Sequence, residues 1–184
     1  MSYTPRLKQK YNEEIKAKLK EQFGYSSPMA IPSLKKIAIN QGIGEGITDK
    51  KLVDKGIDEL TLITGQKAVP TYSKKDISNF KLRRGMPIGV RVTLRGAKMY
   101  EFLDRLINVA MPRIRDFKGI SDKGFDGGGN FSFGLTEQIV FPEINLDNVS
   151  KLNGYNITFV TSSQTDKECF ALLKEFGFPF KNQK

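Results

Sequence analysis

The residues best equipped to do chemistry in this chain are the cations between Gln66 and Lys98. Lys67, Lys74, Lys75, Lys81, Arg83, Arg84, Arg91, Arg95 and Lys98 stand there against a single acid, Asp76. Charge that one-sided calls for a polyanionic partner. Tyr72 and Phe80 are interleaved with the cations, and aromatic faces beside Lys and Arg suit stacking on unpaired bases. No core periodicity is visible from Ser73 to Met86, so residues 73–86 read as a long basic loop displaying Lys74, Lys75, Lys81, Arg83 and Arg84. Loops of that length in a compact domain are commonly functional. The blander alternative is a solvated loop with Phe80 tucked into the core.

Other chemistries find no residues to carry them. The chain has no His, which excludes a Ser-His-Asp or Cys-His nucleophile pair and any His-based zinc site. Cys169 stands alone, so neither an internal disulfide nor a multi-Cys metal site can form, which fits a reducing compartment. Its neighbours mark it as a core residue of an amphipathic helix. Asp122 and Asp126 lack the alternating oxygen ligands of a calcium loop. The turn Gly42-Ile43-Gly44-Glu45-Gly46 imitates a dinucleotide fingerprint, but the third glycine would have to sit at Ile47. It reads as a tight strand-to-helix turn needing positive φ, with N–H groups that could still meet an RNA phosphate. No catalytic residue, cofactor, metal or small-molecule substrate is expected.

Several elements must position the cations. Ile88, Val90, Val92 and Leu94 alternate with Gly89, Arg91, Thr93 and Arg95, a period of two that puts aliphatics on one face and phosphate-ready side chains on the other. Leu34 to Asn40 reads as a second strand with Asn40 away from the core, and Gln66 to Tyr72 as a third that Pro70 confines to an edge or bulge. Leu7, Tyr11, Ile15, Leu19 and Phe23 recur every four residues, predicting an N-terminal helix within residues 1–24 that stops at Gly24. A second helix capped by Thr48 or Asp49 should end at Gly65. A third carries Tyr100, Leu103, Leu106, Ile107 and Ala110 inward and breaks at Pro112. Residues 118–134 read as a mobile glycine-rich loop entering a strand near Phe131. Tyr155 to Thr161 is a further strand, followed by a last helix that Thr165 or Asp166 caps and Gly177 and Pro179 stop. The sum is an α+β fold of one domain, residues 1–184: a mostly antiparallel sheet, helices on one face, and the basic loop.

The bulk numbers agree. At 39% hydrophobic residues the chain builds a real core, while a net charge of +10 favours nucleic acid over a bare solvated surface. No apolar run approaches the roughly 20 residues that span a bilayer. The N-terminus lacks a signal-peptide core and carries Glu13 and Glu14, so a cytoplasmic location without membrane association is expected.

Specific strings carry a resemblance. LKKIAINQGIGEG (Leu34 to Gly46), GQKAVPTYSKKDISNFKLRRGMPIGVRVTLRG (Gly65 to Gly96), MYEFLDRLINVAMPRIRDFKGI (Met99 to Ile120), FDGGGNFSFGLTEQIVFPEI (Phe125 to Ile144) and TDKECFALLKEFGFPF (Thr165 to Phe180) look like successive signatures of the bacterial large-subunit ribosomal protein L-five family. Gly128 is a departure, standing where the family often carries a basic residue. The resemblance implies a structural, non-enzymatic protein that attaches 5S rRNA to the large subunit in the central protuberance. By motif position it implies that Asn40, Gln66 and Thr93 meet 5S rRNA, with Phe80 nearby; Arg91 and Arg95, the cations on the strand's polar side, join that set. It implies that the loop bearing Lys74, Lys75, Lys81, Arg83 and Arg84 reaches P-site tRNA. The region from Met111 to Gly129 is similar to the part that bridges to a small-subunit protein. 23S rRNA and neighbouring large-subunit proteins complete the implied partners. Two other readings stay in view: a nucleotide-dependent enzyme built on Gly42 to Gly46, and a generic double-stranded RNA or DNA chaperone that relies on charge alone, with steep salt dependence.

Overall fold

The alternation around Ile88 becomes strand β3, Pro87–Leu94, in a computed structural model that describes residues 3–145 and 151–181. Val90, Val92 and Leu94 are buried, Arg91 is exposed and Thr93 is half-buried. The same two-residue period sorts β1, Leu34–Gly42: Ile37, Ile39 and Gln41 face the core and Asn40 faces out. The other strands are β2 (Val69–Tyr72), β4 (Phe131–Leu135) and β5 (Tyr155–Thr161). They form a five-stranded antiparallel sheet in the order β2-β3-β1-β5-β4. β2 lies at the edge, where the missing N–H of Pro70 costs no ladder bond, and its register against β3 slips between Thr71 and Tyr72.

Among the described residues four helices accompany the sheet, giving the α+β class expected. α1 runs as Arg6–Lys10, a π-helical turn Tyr11–Ile15, and Lys16–Phe23. A strict four-residue spacing drifts by about 40° per step on a 3.6-residue helix. The wider π turn takes up that drift and leaves Leu7, Tyr11, Ile15 and Leu19 all buried. α2 (Lys50–Thr64) begins at Asp49, whose carboxylate accepts from the Lys51 N–H at 2.9 Å, and ends at Gly65 with φ +64°. α3 (Gly96–Arg105) continues into a second π turn, Leu106–Ala110, before Pro112. α4 (Asp166–Glu175) opens with a reciprocal capping box between Thr165 and Glu168.

The chain packs as two compact units. One comprises the residues up to Ile37, Arg95–Phe133 and those from Thr158 onward. Its core is aromatic: Phe133 and Phe159 stack at 6.0 Å and 4°, while Phe178 meets Phe131 edge-on at 5.6 Å. The other comprises Ala38–Leu94 and Gly134–Ile157, with an aliphatic core that includes Ile39, Val53, Leu60, Ile63 and Val90.

Two sequence expectations change here. Gly42, Gly44 and Gly46 do not have positive φ; Gly44–Ile47 forms a 3-10 turn. Gly46 is needed for space instead, because a Cβ there would lie 2.5 Å from the Val53 side chain and 3.1 Å from the Pro87 carbonyl oxygen. The glycine-rich stretch is pinned by two carboxylates rather than tethered only at its ends. Asp126 accepts from the N–H groups of Gly128 (2.9 Å) and Asn130 (3.0 Å), and Asp166 accepts from Gly127 and Gly129 at 3.1 Å each.

Candidate nucleic-acid interface

β3 supplies the first part of the interface. Arg91 pairs across the ladder with Val69, and Gly89 with Thr71, so all four share one side of the sheet. Asn40 on β1 is exposed, as is Asn156, which lies between buried Tyr155 and Ile157 on β5. A Cβ on Gly89 would come within 2.5 Å of the Gln41 carbonyl oxygen and 3.0 Å of Thr71 Oγ1. Glycine therefore lets the strands approach closely at the centre of this face. The result is a pleated surface of amides, hydroxyls and one guanidinium left open to solvent.

Gln66 joins this face by a specific contact. Its Nε2 donates to the Thr93 carbonyl oxygen at 3.1 Å. The α2–β2 connection is fixed further by Thr64 Oγ1, which donates to the Leu60 carbonyl at 2.7 Å, and by the Ala68 N–H, which donates to Thr61 Oγ1 at 3.1 Å. Arg95 is exposed at the first residue before α3. It belongs to the other compact unit, so only Asn40, Gln66, Phe80, Arg91 and Thr93 of the expected set fall in one.

The second part is the loop 73–86, which is a built hairpin extension. The Ser73 N–H donates to the Met86 carbonyl and the Gly85 N–H to the Ser73 carbonyl, closing its base at 2.9 and 3.0 Å. Ile77 and Leu82 bridge at its tip, around a 3-10 turn Ser78–Phe80 and Lys81 at φ +51°. Phe80 is 68% exposed, which settles the alternative of a ring tucked into the core. Lys74, Lys75, Lys81, Arg83 and Arg84 are all exposed. Asp76 is the one acid among them, and its carboxylate accepts the Arg84 main-chain N–H at 2.7 Å. The loop thus presents cations with no ion-pair partner among the described residues, together with one bare aromatic ring.

The Gly46, Thr48 and Asp49 N–H groups already donate to Ile43 and Glu45 carbonyls, and Glu45 is ion-paired with Lys151. Among the described residues no cluster of three or more Cys, Asp or Glu could hold a metal, and no helix is long and apolar enough to cross a membrane. Sequence reasoning missed Thr71 and Asn156 on the sheet face; the alternation around Tyr155 would have placed Asn156 outward. It also missed Gln41, an amide buried on the core side of β1.

An open sheet face of polar side chains beside a cationic, aromatic-tipped loop is the build of an RNA-binding protein that works by shape and contact. Comparison with known proteins makes the class specific. Residues 27–83 match the family described as ribosomal protein L5, and residues 87–180 match the ribosomal L5P family C-terminus. The chain is 64% identical to large ribosomal subunit protein uL5 of Porphyromonas gingivalis over 184 residues, covering all of this chain and 98% of that one. It is 61% identical to the uL5 protein of Christiangramia forsetii over 181 residues, 98% of this chain and 99% of that one. With the uL5 protein of Bacteroides fragilis it shares 63% over its whole length and 99% of the relative's. The chain belongs to the ribosomal protein L5 family, the uL5 proteins of the large ribosomal subunit, and is a structural ribosomal component, not an enzyme.

Proposed function

We propose that this protein binds 5S rRNA through the open polar face of its sheet and so attaches that RNA to the large subunit in the central protuberance. The observation that carries the reading is the placement of Asn40, Arg91 and Thr93 on the solvent side of adjacent strands β1 and β3, with aliphatic residues on the other side. Amides and hydroxyls there can meet 2′-hydroxyls and base edges, and Arg91 can meet phosphate. Gln66 extends that contact at the Thr93 end of β3, Phe80 extends it from the loop beyond Tyr72 and Pro87 at the opposite end, and Arg95, the residue after β3, adds a cation. The basic loop reaches P-site tRNA with Lys74, Lys75, Lys81, Arg83 and Arg84. The region from Met111 to Gly129 forms a bridge with a small-subunit protein, while 23S rRNA and neighbouring large-subunit proteins hold the chain in place.

The test is replacement of the chromosomal copy by a variant carrying Asn40→Ala, Arg91→Ala and Thr93→Ala, followed by purification of large subunits. Subunits depleted of 5S rRNA are expected. Full 5S occupancy in that variant would overturn the assignment.

A further inference from the structure

Glycine at position 42 has no cause inside the fold. A glycine in a strand weakens it, because it loses more backbone freedom on folding than any other residue and packs no side chain. Gly89 is enforced by the Gln41 carbonyl oxygen, 2.5 Å from where a Cβ would lie, and positive φ calls for glycine at Gly24 and Gly65, where α1 and α2 end. Gly42 meets neither condition. Its φ is not positive, and among the described residues nothing lies within 4 Å of a Cβ built on it. It lies within the ladder all the same, since the Ile43 N–H beyond it donates to the Ile88 carbonyl of β3 at 2.9 Å. A strand glycine of this kind marks a place where something outside the fold comes close.

Its position says what comes. Gly42 follows Asn40 by one strand repeat and is exposed like it, so the two share the open face. On the neighbouring antiparallel strand, Gly89 stands one repeat from Arg91 in the same direction. The open face therefore carries Asn40 and Arg91 and, beside them, a gap without side chains at Gly42 and Gly89, with Thr71 paired to Gly89 on the far side. None of the five strands contains Asp or Glu, and Arg91 is exposed, so the field at the gap favours an anion.

We propose that the ribose-phosphate backbone of 5S rRNA seats directly on the main chain at Gly42, and that the missing side chain sets the distance from which Asn40 and Arg91 reach it. RNA helices are recognised largely by shape and by contacts to 2′-hydroxyls and phosphates, which require the two backbones to approach closely. A side chain at position 42 would hold the RNA off the face while leaving every contact within the protein intact. The inference rests on 5S binding by this face and adds to it a residue that recognises RNA by having no side chain. All the residues involved lie in one compact unit.

The experiment compares the purified full chain with Gly42→Ala, Gly42→Val and Arg91→Ala in thermal melts and in titrations with 5S rRNA. Both Gly42 variants should melt at or above the wild-type temperature, because nothing crowds the site and each loses less backbone entropy on folding than glycine does. Affinity for 5S rRNA should fall about tenfold in Gly42→Ala and further in Gly42→Val, in the order of side-chain bulk. Wild-type affinity in both Gly42 variants, with a loss in Arg91→Ala, would overturn the inference and keep 5S rRNA on this face. Wild-type affinity in all three would overturn both. A lowered melting temperature in Gly42→Ala would also overturn the inference, since the glycine would then serve the fold.

Discussion

Gln66 Nε2 donates to the carbonyl oxygen of Thr93 at 3.1 Å, tying the turn after α2 to the strand that carries the Arg91–Thr93 face. The contact joins two residues 27 positions apart, each expected from sequence to meet 5S rRNA. It divides their roles. Thr93 contributes its main-chain oxygen to the fold, and its hydroxyl has no partner among the described residues, while the Gln66 amide nitrogen is occupied within the protein.

Gln66→Ala should therefore lower stability by about 1 kcal/mol as well as weaken RNA binding. Thr93→Val keeps the shape and the main-chain bond, so it should weaken 5S binding by about 1–3 kcal/mol at unchanged stability. Asn40→Ala, at an exposed position, should behave like Thr93→Val. Urea melts beside filter-binding isotherms separate the two effects; a destabilised Thr93→Val protein would contradict the division.

Removal of Lys74, Lys75, Arg83 and Arg84 together should leave the 5S dissociation constant within severalfold at moderate salt. Affinity for tRNA should fall, and the slope of log K against log salt should flatten by about 0.7–0.9 for each tRNA phosphate that those cations neutralise. The loop's hairpin is held by main-chain bonds at Ser73, Ile77 and Leu82, so the fold should persist. An unaltered tRNA isotherm would remove the loop from the tRNA site.

Two carboxyls predict opposite pH signatures. Hydrogen bonds from Asn130, first its side chain and then its N–H, with that of Gly128, hold the Asp126 carboxyl below its ordinary value of 3.8. Its contribution to stability is present above that value and lost as pH falls through the lowered one. The melting-temperature gap between wild type and Asp126→Ala should thus be full at pH 7 and close toward strong acid. Burial pushes the Glu59 carboxyl above its ordinary 4.5 against the opposing pull of the Gln41 amide and Lys55, and its Oε2 has no hydrogen-bond partner among the described residues. The protein is favoured while Glu59 is protonated, and that advantage is lost as pH rises through the raised value. Glu59→Gln should raise the melting temperature at pH 7 and not at pH 4; a gain at both would contradict this sign.

Gly89 should not tolerate alanine. The added Cβ would meet the Gln41 carbonyl oxygen at 2.5 Å, and a main-chain atom in a central strand cannot step aside cheaply. Destabilisation of about 1–3 kcal/mol is expected by chemical denaturation. A neutral Gly89→Ala would show that β1 and β3 can separate there.

The periodic parts of this fold were legible because two-residue and four-residue patterns map directly onto one face of a strand or helix. Ile88 to Arg95 placed Arg91 and Thr93 outward, and Pro70 placed β2 at an edge. What remained hidden depends on residues distant in sequence. Asp166 reaches 37 positions to the Gly129 N–H, so the glycine-rich loop read as free. Gly46 is required by Val53 and Pro87, not by its own φ. Gln41 lies beyond the strand expected from Leu34 to Asn40, and it is fully buried under α2, where a Cβ on Gly56 would lie 3.0 Å from its Oε1. Exposure of Phe80 was equally beyond local pattern, since one aromatic in an aperiodic stretch can point either way.

Specific recognition of 5S rRNA by the open sheet face is measured by competition binding. The purified chain would be titrated with labelled 5S rRNA at moderate salt in excess unlabelled structured RNA of unrelated sequence. Tight binding that survives the competitor, and that falls by about 1–3 kcal/mol in Thr93→Val, is the predicted result. Binding erased by the competitor, and equal in wild type and Thr93→Val, would leave a protein that attracts polyanions by charge alone.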